Sequence, residues 1–72
     1  MSRRTWQIEY HRDGQSHLFP VADETLAMEW LNDLVALAPI SWVVVYRKEF
    51  GSRTVHAVKD KTGKCPVKGA QP

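Results

Sequence analysis

The sequence predicts an α+β domain of two layers: a four-stranded antiparallel sheet in the element order β-β-α-β-β, with one amphipathic helix packed on one face. Three observations carry this reading. Strand-type residues flank Asp13-Gly14, a dipeptide that tolerates the positive φ angles of a two-residue hairpin turn. Apolar residues between Asp23 and Ala38 recur at helical spacing. Pro39-Ile40-Ser41-Trp42-Val43-Val44-Val45-Tyr46-Arg47-Lys48 is rich in β-branched and aromatic residues, and a second turn signal, Gly51-Ser52, follows it.

In the first hairpin, Thr5 to His11 alternates, with Trp6, Ile8 and Tyr10 on one face. A tight turn at Asp13-Gly14 pairs Arg12 with Gln15, Tyr10 with His17, Ile8 with Phe19 and Trp6 with Val21. The apolar residues of both strands then share a face, which supports the register. Pro20 cannot donate to a ladder, so the second strand belongs at an edge or ends there.

Asp23 is the expected N-cap of the helix, Glu24 suits its first turn, and Pro39 stops it. At about 100° per residue, Leu26, Ala27, Trp30, Leu31, Leu34, Leu37 and Ala38 form one apolar arc, with Glu29, Asn32 and Asp33 opposite. Met28 and Val35 widen that arc on one side into an apolar shoulder that either loops or a second chain would cover.

The third strand is apolar on both faces: Trp42, Val44 and Tyr46 point one way, Val43 and Val45 the other. A turn at Gly51-Ser52, glycine first as type II′ prefers, pairs Phe50 with Arg53 and Tyr46 with Ala57. The bulkier aromatic set is the expected helix-facing core, together with Trp6, Ile8, Phe19, Leu26, Trp30, Leu31 and Leu34. Val43, Val45, Arg47, His56 and Val58 then form the outward face. Residues 1–59 make the domain, and the basic segment 60–72, with two glycines and two prolines, is expected to be disordered.

Composition bounds the function classes. A chain of 72 residues, 43% hydrophobic and 25% charged, is ordinary globular material near the lower size limit for folding without metals or disulfides. One cysteine, Cys65, rules out an internal disulfide and a multi-cysteine zinc site, and fits a reducing compartment. No apolar run approaches the roughly 20 residues of a membrane helix, and no apolar segment follows Arg3 and Arg4 as a secretory signal would require. These features lead to the expectation of a cytoplasmic protein without a membrane partner.

Motifs for chemistry are sparse. His11-Arg12-Asp13 spells a kinase catalytic tripeptide, but the chain has no room for the rest of that machinery. Thr62-Gly63-Lys64 resembles the end of a phosphate-binding loop that lacks its first glycine. Cys65-Pro66 is too short to specify a haem site. His11, His17 and His56 show no metal-ligand spacing. Glu24, Glu29 and Asp33 suit capping and solvation. The expectation is a non-enzymatic protein without catalytic residues, metal, cofactor or small-molecule substrate.

The surplus apolar surface points to binding. The first expectation is a small interaction protein, suited to an accessory or inhibitory role, that meets another protein chain through a sheet face or the edge of the third or fourth strand. Self-association as a dimer ranks first, with Val43, Val45, Arg47, His56, Val58, Met28 and Val35 as the interface. The alternative rests on uneven charge. Net charge is only +2, yet residues 22–38 carry Asp23, Glu24, Glu29 and Asp33 with no Lys or Arg. Arg47, Lys48, Arg53, Lys59, Lys61 and Lys64 instead gather in the C-terminal half, where Trp42 or Tyr46 would stack on the bases of a nucleic acid.

Overall fold

A computed structural model describes residues 4–67. In chain order the elements are β1 (Arg4–Arg12), β2 (Gln15–Val21), α1 (Glu24–Val35), β3 (Ile40–Glu49) and β4 (Ser52–Asp60). The four strands form one antiparallel sheet in the order β2-β1-β3-β4, and α1 packs across one face, mainly over β3 and β1. This is the expected α+β architecture. The strand order places β3 in the interior, so the open edges are β2 and β4, and an edge on the third strand is ruled out.

The first hairpin has the register expected from its turn, with Tyr10 opposite His17, Ile8 opposite Phe19 and Trp6 opposite Val21. Asp13 and Gly14 have φ of 52° and 80°, the double positive φ of a type I′ turn. The N-cap of α1 is Asp23, whose Oδ1 accepts the Leu26 N–H at 2.8 Å. The helix ends at Val35, short of Ala38. The Leu37 N–H then donates to the Leu34 carbonyl at 3.0 Å and the Ile40 N–H to the Leu37 carbonyl at 3.1 Å, turning the chain into β3.

The core is divided between the two faces of the sheet. Under the helix lie Trp6, Ile8, Val21, Ala27, Leu31, Leu34, Ile40, Val43 and Val45. On the far face Trp42, Val44 and Tyr46 form a second buried cluster, against which Val55, Val58, Cys65 and Val67 pack. The expected assignment of faces is therefore reversed. Val43 and Val45 are 0% exposed beneath the helix and belong to no outward surface. The cause is the β1–β3 register, which sets Ile8 opposite Val45 and Tyr10 opposite Val43. Residues directly opposite in a ladder share a face, so the valines join the tryptophan and isoleucine of β1. The aromatic set is buried by the chain itself: residues 61–67, expected to be disordered, fold back over it through Cys65 and Val67. Residues 68–72 of that expected tail lie outside the described residues.

The second hairpin also differs. Its turn is Phe50-Gly51, with φ of 54° and 81°, again type I′ and one residue earlier than expected. Glu49 pairs with Ser52 and Tyr46 with Val55. The register then shifts between Val45 and Tyr46, leaving His56 as the extra residue of a bulge, and Val45 pairs with Ala57 and Val44 with Val58. His56 is helix-facing, as its grouping with Val43 and Val45 requires. Ala57 and Val58 exchange faces relative to the expectation: Ala57 packs under the helix and Val58 against the far-face cluster.

Candidate functional site

The far face is closed by a short latch. Asp60 Oδ1 accepts the N–H groups of Thr62 at 3.1 Å and Gly63 at 2.9 Å, and Oδ2 accepts that of Cys65 at 3.2 Å. Slight loss of solvent pushes the Asp60 carboxyl up, but the N–H donors of Cys65, Thr62 and Gly63 outweigh it and hold the group below its ordinary value. Thr62-Gly63-Lys64 thus closes a turn on a carboxylate, with Gly63 at φ 74°. Lys61 secures the other side, its N–H donating to the Ser41 carbonyl at 2.9 Å and its Nζ to the Leu37 carbonyl at 2.7 Å.

Beneath the latch, the Tyr46 hydroxyl donates to Glu9 Oε1 at 2.6 Å, and the Arg53 guanidinium lies 4.2 Å from the Tyr46 ring centre. Burial and then the Glu9 carboxylate push the Tyr46 phenol up to about 12. His11 stacks on Trp42 with ring centres 5.5 Å apart, and its Nδ1 lies 3.4 Å from Ser16 Oγ. A shallow groove of about 410 Å³ runs between this pair and Thr62, Lys64 and Pro66. Cys65 is a free, partly covered thiol, pushed up in pKa chiefly by burial. Among the described residues no group of three or more His, Cys, Asp or Glu side chains is placed to hold a metal ion. None of the helices there is long and apolar enough to cross a membrane.

The basic residues do not form one surface. Arg47, Lys48 and Arg53 sit at the Phe50-Gly51 end of the sheet, while Lys59, Lys61 and Lys64 follow the opposite end of β4. Arg47 Nε is 3.8 Å from Glu49 Oε1, and the Lys61 ammonium is held by Leu37. Trp42 and Tyr46 are each 4% exposed, so neither ring is open to a base.

The residues proposed for the protein interface separate in the same way. His56 turns toward the helix, with Nε2 3.1 Å from Glu24 Oε2 and its ring edge-on to Trp6 at 4.8 Å. Met28 and Val35 are half-buried against the helix-side core. The exposed apolar shoulder is instead on the other flank of α1, above β2. Leu26 and Trp30, one helical turn apart, are 38% and 41% exposed. Their ridge continues into the sheet as a line of rings. Trp30 meets Phe19 edge-on at 5.2 Å, Phe19 meets Tyr10 edge-on at 6.0 Å, and Tyr10 stacks on His17 at 5.0 Å. Of the three residues expected in the core, Phe19 packs half-buried against it, while Leu26 and Trp30 stay largely open. The narrow helix instead sits over the middle of the sheet and leaves this side uncovered.

The ridge stands beside an open strand edge. In a hairpin with a two-residue turn the flanking residues Arg12 and Gln15 exchange hydrogen bonds, so His17, Phe19 and Val21 bond to β1 in alternation. Ser16, Leu18 and Pro20 then direct their backbone groups away from the sheet. Pro20 sits where its missing N–H would point outward, while Ser16 and Leu18 offer both a donor and an acceptor. β2 contains no Asp, Glu, Lys or Arg, the usual guards of an edge. β4, by contrast, is guarded by Arg53, Lys59 and the bulge at His56. Leu18, 49% exposed on the far face, makes the β2 edge apolar on both sides. The signal for this edge was Pro20 at an outward position of an otherwise uncharged strand.

No protein-family model matches this chain, and no curated protein or solved structure is detectably similar to it.

Proposed function

We propose that this chain is a small interaction protein that binds another polypeptide, a second copy or a different protein, by strand addition at the β2 edge. The observation that carries the reading is the pairing of two features at one place: outward backbone groups at Ser16 and Leu18, and beside them the exposed ridge of Leu26 and Trp30, which meets the half-buried Phe19. Strand addition draws affinity from main-chain hydrogen bonds and specificity from pockets that receive alternate side chains. Here the edge supplies the former. The aromatic ridge on one face and Leu18 on the other supply the latter. Phe19 and Trp30 belong to residue types that anchor interfaces when desolvated.

Selection from a displayed library of random peptides, followed by amide chemical-shift mapping, tests the reading. Peptides that shift Ser16, Leu18, Phe19 and Trp30, and that lose binding to a Leu18→Pro variant, are the expected result. That substitution removes an outward N–H but no bond to β1, as Pro20 already does, so the hairpin survives it. Selected peptides that map to the far-face groove or to β4, or a library that yields no binder, would overturn the proposal.

A further inference from the structure

Resting on that reading of the β2 edge, we infer that its occupant is a second copy of this chain, paired antiparallel about Leu18 so that the two sheets continue as one. The outward backbone groups select this register. With Leu18 opposite its own counterpart, the two leucines exchange both of their N–H···O=C bonds, and each Ser16 N–H donates to the partner's Pro20 carbonyl. Pro20, which has no N–H, then serves as an acceptor alone. Centring the pairing on Phe19 leaves both Ser16 donors without a strand partner, and centring it on His17 sets two histidines directly opposite each other. In the Leu18 register His17 faces the partner's Phe19 instead, which extends the line of rings across the junction. β2 has no Asp, Glu, Lys or Arg, so no like charges meet when the strand pairs with itself.

The helix side favours a copy over a lone strand. α1 lies mainly over β3 and β1. Neighbouring strands are about 4.8 Å apart, so the two helix axes stand about 19 Å apart across the joined sheet. Helices about 10 Å wide then leave a channel about 9 Å across, floored by the two β2 strands. Leu26 and Trp30 of both copies project into it. Trp30 lies beside the two-fold axis, because its ring meets Phe19, the neighbour of Leu18. A single added peptide supplies the floor of that channel but no facing wall, whereas a second copy supplies both. Glu29 and Asp33 lie on the face of α1 opposite the sheet, outside the channel. One strand edge and one narrow channel make a small contact, so the dimer is weak and dissociates on dilution.

A charge swap at the two-fold axis, read by sedimentation of the full chain from about 10 µM to about 1 mM, tests the inference. Leu18→Lys and Leu18→Glu keep the backbone N–H and change a side chain that is 49% exposed, and circular dichroism checks that each variant is folded. The wild-type chain is expected to pass from monomer to dimer over that range. Each variant alone sets like charges opposite each other and weakens the dimer by at least about tenfold, while an equimolar mixture of the two restores it. Trp30→Ser, which leaves the edge untouched, weakens the dimer by a separate route. A wild-type chain that stays monomeric at about 1 mM overturns the second copy. The edge reading then stands if selected peptides still shift Ser16 and Leu18, and falls with it if none does. A dimer that neither charged variant weakens, or that the mixture fails to restore, places the contact elsewhere or in another register and likewise overturns the inference.

Discussion

Phe50 carries the clearest local conflict in the chain. It occupies the first central position of a type I′ turn at φ 54° with a side chain 79% exposed. A non-glycine residue there sits in the left-handed region, at a cost of roughly 1–2 kcal/mol that asparagine largely avoids. Phe50→Asn is therefore expected to stabilise the fold by about 0.5–1 kcal/mol, seen as a rise of several degrees in Tm by calorimetry; an unchanged or lower Tm would count against the assigned turn. The same residue explains the sequence misreading. Glycine is the usual carrier of positive φ, so the sequence points to Gly51 as the first turn residue, and nothing about phenylalanine announces a left-handed backbone. At Asp13-Gly14 both residues suit their angles, and that hairpin's register was legible to the last pair. Tyr46 gives a second test at this scale. Its phenol, about 12 in the fold against about 10 unfolded, stays protonated longer in the native state. The stability it contributes is complete below pH 10 and is lost as pH rises toward 12. Ultraviolet titration is expected to show one late tyrosine, moved to lower pH by Glu9→Gln.

Among the elements, the latch and the edge are the least legible in the sequence. The segment after β4 lacks hydrophobic periodicity, and its order comes from one carboxylate gathering N–H groups, a geometry invisible until Asp60 is seen beside Thr62, Gly63 and Cys65. Asp60→Ala is expected to loosen the latch and speed alkylation of Cys65 severalfold, since burial is the main brake on that thiol. An unchanged rate would show that Val67 and the far-face cluster hold the segment without it. The face of β3 is not legible from side-chain bulk, which says little about which layer a strand faces; pairing with β1 decides it. The two faces of the molecule also predict different tolerance. Leu31→Ala, in the fully buried seam of α1, is expected to cost about 3 kcal/mol by denaturant unfolding. Leu18→Thr, at the open edge, is expected to cost less than about 1 kcal/mol, because that leucine's exposed half does nothing for folding.

Within the described residues the molecule buries both faces of β3, one under the helix and one under β4 and residues 61–67. The apolar surplus read from β3 is thereby consumed internally. What stays open is the side where a single helix is too narrow for four strands, and there the uncharged β2 edge and the aromatic ridge coincide. The account's central claim is that a polypeptide adds to that edge. Amide hydrogen exchange at Ser16 and Leu18, measured free and with a selected peptide bound, tests it most directly. In the free chain both amides face solvent and exchange fast. Strand addition slows both by at least about tenfold while the outward acceptor at Pro20 is also engaged. Saturating peptide that leaves both exchange rates unchanged would contradict the account.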